Sequence, residues 1–397
     1  MNKIGTIKGK NILFLQGPMG NFFSKLERVF EKEGAKTYRV GFNAGDSFFS
    51  RHKNYTPYRG KKEEYRAFIE KFLLEKKIDK IFLFGDCRFY QAKSIAVAMK
   101  LGVDVFVFEE GYIRPNYITM EKFGVNNFSR IPRDASFYKA QALKEEPIAK
   151  DVEYSQFSMV TSATMYYLVA NLFHFRYPHY EHHRDFSALK EFFYGVRSLV
   201  RKYLYKFEER GYLQKIKGEL SKEYFFVPLQ TYNDFQILEH SEYKSIEKFI
   251  IEVLDSFANS KSDKKLIFKH HPVDRGRKNY KSFIMRQAEL LGIKKQVIVL
   301  YDTHLPTILK NAIGTITINS TVGLSSLYHK TPTITLGNAI YDIEGLTCKG
   351  RKLDAFWKEQ CLVDQELLKK FRVYLIENTQ LNGSFYGKLP EFDFDEA

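Results

Sequence analysis

Two short stretches carry side chains suited to holding a phosphate group. Lys265-Leu-Ile-Phe-Lys-His-His-Pro-Val-Asp-Arg-Gly-Arg277 runs an apolar strand into a turn that bears Lys269, His270, His271, Pro272 and Arg275. Thr315-Ile-Thr-Ile-Asn-Ser-Thr-Val-Gly-Leu-Ser-Ser326 runs a second strand into Asn319, Ser320 and Thr321, just before a helix expected over Leu324 to His329. Strand ends that open onto helix N-termini collect anionic groups, because unpaired backbone N–H groups and the helix dipole point at the ligand. Two such turns in one half of a chain suggest a nucleotide-sugar site. A His-His-Pro flanked by cations suits phosphate better than a metal, which would want further His or carboxylate ligands nearby.

Three other strand ends carry polar groups. Pro228-Leu-Gln-Thr-Tyr-Asn-Asp234-Phe-Gln236 offers Gln230 and Asp234. A carboxylate there either attacks an anomeric carbon to form a glycosyl-enzyme intermediate or caps the following turn. Glu109-Glu110-Gly111-Tyr112-Ile113-Arg114 places two carboxylates beside a guanidinium, either an acid/base or an ion-paired strand end. Gln16-Gly17-Pro-Met-Gly20 follows the first strand; it departs from G-x-G-x-x-G, so it reads equally as a ligand loop and as a tight turn.

These turns need elements to hold them. Asn11–Leu15, Thr37–Val40, Lys80–Phe84 and Val103–Phe108 read as strands, alternating with helices over Phe22–Lys32, Lys62–Lys76 and Phe89–Leu101. The rhythm breaks over residues 131–222, an aromatic and basic helical stretch, and restarts with strands at Tyr224–Leu229, Lys265–Lys269, Val297–Leu300, Thr315–Ile318 and Thr333–Thr335. Strand–helix alternation predicts parallel sheets covered by helices. The expected fold is α/β: two Rossmann-like domains facing a cleft, a GT-B-like arrangement, with a helical aromatic/basic insertion. The boundaries are an N-terminal domain over 1–130 on the acceptor side, the insertion over 131–222, a donor-side domain over 223–360, and a C-terminal helix and acidic tail over 361–397.

Composition limits the partners. The 397 residues suffice for two cores. The net charge of +15 favours anionic partners: nucleic acid, an acidic membrane surface or a phosphorylated substrate. No nucleic-acid-binding module is recognisable, which leaves that class weakest. Cys87, Cys348 and Cys361 lack metal-type spacing and are odd in number, as in a reducing compartment. The start is not a secretory signal and no stretch is apolar enough to span a bilayer, so a cytoplasmic location is expected, with room for attachment to the inner face of a membrane. The cluster His179, His182 and His183 reads as packing or interfacial, and Asp393-Phe-Asp395 as an acidic tail. No metal and no cofactor is expected.

The blocks Gln16-Gly-Pro, Glu109-Glu-Gly-Tyr-Ile-Arg114, Pro228-Leu-Gln-Thr-Tyr-Asn-Asp234, His271-Pro272 and Asn319-Ser-Thr-Val-Gly323, in that order, resemble the KpsS/KpsC-type capsule-polysaccharide β-Kdo transferases. The likeness runs from about residue 10 to 350, and the length is that of a single-module member. The resemblance implies a CMP-β-Kdo donor, transfer with retention, and an anionic lysophosphatidylglycerol acceptor or a short Kdo linker on it. It implies Asp234 as nucleophile, His271 on the CMP phosphate with Ser320 and Thr321 nearby, and Glu109 or Glu110 as acid/base or acceptor-positioning group. Gln230, Lys269, His270, Pro272 and Asn319 fall on the donor side, and Gln16, Gly17, Tyr112 and Arg114 on the acceptor side. Glu-Glu-Gly-Tyr stands where Glu-Asp-Gly-Phe is expected in the two-module members, which leaves Glu109 and Glu110 both open. The aromatic-basic stretch from Leu172 to Arg210 suits interfacial docking, or packing on the first domain. Other capsule biosynthesis and export proteins are implied partners. Competing readings are a transferase for another CMP-activated sugar or glycerol phosphate, and a non-catalytic export or scaffold component.

Overall fold

A computed structural model describes residues 4–50, 53–181, 188–232, 243 and 245–394. Asp234, His182, His183 and Asp395 lie outside the described residues. The chain forms two compact units, one of Met1–Arg130, Glu146–Ala188 and Val373–Ala397, the other of Ile131–Glu145 and Leu189–Arg372. The stretch 131–222 is thus shared between the units rather than forming a body of its own.

The first unit is built on a seven-stranded sheet. Its strands are β1 (Asn11–Phe14), β2 (Lys36–Gly41), β3 (Tyr55–Pro57), β4 (Lys80–Phe84), β5 (Asp104–Glu110), β6 (Tyr117–Lys122) and, from the C-terminal end of the chain, β12 (Gln380–Asn382). They lie in the order β12-β6-β5-β4-β1-β2-β3. β1 to β5 are mutually parallel, as the alternation predicts, while β6 and β12 add antiparallel pairs. Parallel strands buried on both faces read as continuous apolar runs, and Ile12, Leu13, Phe14, Ile81, Phe82 and Leu83 are all buried. Helix Phe22–Lys32 covers one face because Phe22, Leu26 and Phe30 recur every four residues. Gly102 ends helix Phe89–Leu101 in the left-handed region at φ 71°, where a glycine carries no Cβ penalty.

The second unit holds a five-stranded sheet: β7 (Tyr224–Pro228), β8 (Lys265–Lys269), β9 (Val297–Leu300), β10 (Gly314–Thr317) and β11 (Thr333–Thr335). Its order is β11-β10-β7-β8-β9, with every pair parallel. Helix Ile246–Ser260 is started by Ser245, whose hydroxyl accepts the Lys248 N–H, and it buries Phe249, Ile250, Val253 and Phe257 on the sheet. Both units repeat one winding: the second strand lies on one side of the first and the fourth on the other. The gap between β1 and β4, like that between β7 and β10, is therefore a topological switch point, where helices leave in opposite directions and strand ends stay open.

Two features depart from expectation. β6 and β12 were invisible as strands, because β12 is defined by pairing with a segment more than 250 residues away in sequence, Gln380 opposite Thr119. Cys348 and Cys361, expected as thiols, pair as a disulfide with Cα atoms 5.4 Å apart, and Cys87 keeps its thiol, which donates to Asp86 Oδ1. No helix among the described residues is long and apolar enough to cross a membrane.

Candidate active site

In the second unit the switch point between β7 and β10 is closed by a side-chain bond. Gln230, two residues past β7, donates from Nε2 to Oδ1 of Asn319 at 3.0 Å, and the Asn319 N–H points back to Gln230 Oε1 at 3.4 Å. The Ser320 hydroxyl accepts the Val322 N–H at 3.2 Å, so Ser320 rather than Thr321 serves the start of helix Val322–Tyr328. Tyr341 Oη donates to the Ser320 carbonyl at 2.5 Å. A Cβ on Gly323 would lie 2.1 Å from that same hydroxyl, so only glycine lets Tyr341 hold the turn. Thr321 is half-buried beside them. The segment leading to Asp234 is anchored at Tyr232, whose N–H donates to Oδ2 of buried Asp274 at 3.1 Å.

The His-His-Pro turn divides its side chains. Lys269 is buried, and its ammonium donates to the Tyr301 carbonyl at 2.7 Å. Burial pushes its pKa below the usual lysine value. His270 is buried against Tyr301, with ring centroids 4.7 Å apart, and its Nε2 accepts the Tyr280 N–H at 2.7 Å. Burial lowers its pKa to about 4, so the ring is neutral. Arg275 is paired with Asp302. Lys269 and His270, read from sequence as donor ligands, are therefore inward framework groups. His271 lies past the end of β8 and, unlike Lys269 and His270, is not buried. It is partly exposed, and its Nδ1 accepts the Val273 N–H at 3.2 Å. That bond leaves Nε2 to carry the ring hydrogen. Pro272 is exposed and opens the short 3-10 turn Pro272–Gly276.

In the first unit the corresponding ends of β4 and β5 separate the two glutamates. Both lie on β5, opposite Thr119 and Ile118, so they face opposite sides of the sheet. Glu110 is exposed and within 3.9 Å of Arg114, itself exposed. Glu109 is half-buried, with Oε1 accepting the Glu110 N–H at 3.1 Å. Burial raises its pKa to about 7, offset by that N–H bond and by Arg88. The structure thus distinguishes two groups that the sequence left equivalent. Gly111 must be glycine, since a Cβ there would meet the Tyr117 carbonyl at 2.1 Å. Tyr112 is buried, donates to Glu121 Oε1 at 2.6 Å and accepts the Asn126 N–H at 2.6 Å. It is a framework residue and not a cleft residue. Gly17 likewise serves packing: a Cβ would stand 2.6 Å from the Phe23 ring.

Gln16 is buried in a network that sequence reading missed. Its Nε2 donates to Tyr166 Oη at 2.9 Å and to Asp46 at 3.2 Å. Asp46 also accepts the Phe42 N–H at 2.8 Å and the Tyr166 hydroxyl at 2.8 Å, and Asn43 Nδ2 donates to Tyr166 Oη at 2.7 Å. Burial raises the Asp46 pKa despite these donors. Asn43-Ala-Gly-Asp46 carries a sequence signal, the Asn and acid spacing of a capping box, and the structure contains that box. Nothing local in sequence announces Tyr166, which lies 120 residues away from Asp46.

A family model described as capsule polysaccharide biosynthesis protein matches residues 79–386. The chain belongs to that family. It is 38% identical, over 96% of its length and 98% of the other, to the capsule polysaccharide export protein KpsS of Escherichia coli. It is 35% identical, over 96% of its length and 92% of the other, to the capsule polysaccharide modification protein LipB of Neisseria meningitidis serogroup B. Among solved structures it is similar to a Thermosulfurimonas dismutans KpsC β-Kdo 2,7 transferase, with 14% identity, 96% of each chain covered and a TM-score of 0.46. The family match takes in the Glu109, Gln230, His271 and Asn319 blocks of this capsule biosynthesis protein and excludes Gln16 and Asp46.

Proposed function

We propose that this capsule biosynthesis protein is a retaining glycosyltransferase that moves Kdo from CMP-β-Kdo to a lysophosphatidylglycerol acceptor, starting the poly-Kdo linker of a capsular polysaccharide. The observation that carries the reading is the Gln230–Asn319 bond across the switch point, just past β7, whose end pairs Pro228 with Lys269 on the strand that leads into His271. Family membership and the relatives' capsule roles support it.

The chemistry balances with groups of this chain. The Asp234 carboxylate attacks the anomeric carbon, the bond to the CMP phosphate breaks, and CMP leaves with the bonding pair. His271 Nε2–H and the Ser320–Thr321 turn hold the phosphate. An acceptor hydroxyl then attacks the glycosyl ester from the opposite side, its oxygen replaces the Asp234 carboxylate, and its proton passes to Glu109. A carboxylate with a pKa near 7 is a competent base at neutral pH. The reaction needs no resident metal or cofactor and takes place at the inner face of the cytoplasmic membrane.

The test combines CMP-Kdo made in situ with a fluorescent lysophosphatidylglycerol acceptor and looks for one added Kdo by mass spectrometry. An adduct that is lost with Asp234→Ala, while CMP still binds, supports the reading. A second reading, a non-catalytic export component, is favoured by the description of the Escherichia coli relative as an export protein. Absence of both adduct and CMP binding would select it.

A further inference from the structure

Helix Ala188–Glu208 is packed the reverse way round from an ordinary surface helix. Its polar side faces the rest of the second unit, to which it belongs. Arg201 donates to the Arg275 carbonyl at 2.9 Å, and the Tyr205 ring stacks on Tyr301 with centroids 3.6 Å apart. Glu209, just past the helix, accepts the Asp302 and Thr303 N–H groups at 3.0 and 2.7 Å. Gly276 lets the helix approach: a Cβ there would sit 2.1 Å from the Tyr194 carbonyl. These contacts fix which face points out.

The outward face is apolar. Phe193, Val196, Val200, Tyr203, Leu204 and Phe207 follow the i, i+3, i+4 rule and form one continuous stripe. Phe193 is 59% exposed, Tyr203 67% and Phe207 69%, and the other three are exposed as well. An ordinary amphipathic helix would bury such a stripe. Lys202, Lys206 and Arg210, four residues apart, form a cationic edge beside it, all exposed. No acidic residue lies on the stripe; Glu208 sits on the packed side, bonded to Lys281. An apolar stripe with rings at its ends and a cationic edge matches an interface of acyl chains under anionic headgroups.

We propose that this face docks the protein on an anionic lipid bilayer, with the stripe at the acyl boundary and Lys202, Lys206 and Arg210 among the headgroups. The inference stands on the packing of one helix and is independent of the transfer chemistry.

The test is flotation of the full-length protein with vesicles of phosphatidylcholine alone or mixed with phosphatidylglycerol. The expected result is binding to the mixed vesicles that weakens with salt. V200E/L204E, at exposed positions, should lower partitioning at least about tenfold. K202E/K206E/R210E should remove the preference for phosphatidylglycerol, at least about fivefold per charge. A Phe207→Trp reporter works independently of these variants. Its emission should shift to the blue on adding vesicles and be quenched by brominated acyl chains, against the constant background of buried Trp357. Reporter emission unchanged by vesicles overturns the proposal. So does self-association of the wild type, seen by light scattering and abolished by V200E/L204E, without vesicle binding; the face would then cover a second copy of the chain.

Discussion

Gln230 and Asn319 meet side chain to side chain at 3.0 Å although 89 residues separate them, and their bond ties the ends of β7 and β10 at the switch point of the second sheet. Each residue gives the other a partner for an amide group across the open end of the sheet. The exposed part of the turn is thereby preorganised without a metal or a disulfide.

Removing one partner should loosen the turn more than the fold. Asn319→Ala and Gln230→Ala are each expected to weaken CMP binding about tenfold, the value of one hydrogen bond to a positioned group. Their double variant should cost little more than either single one, because the two act as a unit. Calorimetric titration with CMP checks this; fully additive losses would show that the residues act separately.

The two adjacent histidines should separate into a structural and a binding residue. His270→Ala leaves the Tyr280 N–H without its acceptor and opens space beside Tyr301, so a loss of about 2–3 kcal/mol of stability is expected. His271→Ala should leave the unfolding midpoint nearly unchanged and weaken CMP binding. Urea unfolding and CMP titration of both variants measure the contrast.

Glu109 sets a pH dependence of definite sign. As a base it must be ionised, so transfer should rise as pH increases through about 7, and Glu109→Gln should lose that limb together with most of kcat. Glu110→Gln should keep it. Stability runs the other way: the carboxyl holds its proton in the folded chain up to about 7 but, with the ordinary value of 4.5, loses it earlier when unfolded. The folded state binds the extra proton across that window, so stability falls as pH rises from 4.5 to 7, less steeply in Glu109→Gln.

Gly323 is expected to tolerate no side chain. Gly323→Ala pushes a Cβ against Tyr341 Oη and should cost about 1–3 kcal/mol, with reduced CMP affinity from displacement of the Ser320 turn. Gly323→Ala combined with Tyr341→Phe removes the oxygen and should recover part of the stability, read as the melting temperature.

Transfer should persist in excess EDTA, since the proposed mechanism places no metal between the protein and the CMP phosphate. Loss of product on chelation, restored by a divalent cation, would require a different phosphate-binding arrangement.

Local rules made most of the architecture legible. Apolar runs bounded by Gly and polar turns mark β1, β4, β7, β8 and β10 at nearly their observed bounds, and four-residue spacing marks helix Phe22–Lys32. The order of the motif blocks carried the family. What sequence left open depends on which way a side chain faces and on partners distant in the chain. Glu109 and Glu110 are chemically identical, and only the pleat of β5 turns one inward and the other to solvent. His270 and His271 differ through their neighbours, one ring buried against Tyr301 and the other partly exposed, and Lys269 reads as a ligand until its ammonium is seen on the Tyr301 carbonyl. Asp46, Gln16 and Tyr166 become one network only when the ends of β1 and β2 and helix Gln156–Leu172 are packed together. Residue type and spacing therefore determined the elements and their chemistry. Tertiary packing alone decided which groups are desolvated, which are paired and which remain to meet a ligand, because burial and hydrogen bonding are properties of the assembled neighbours.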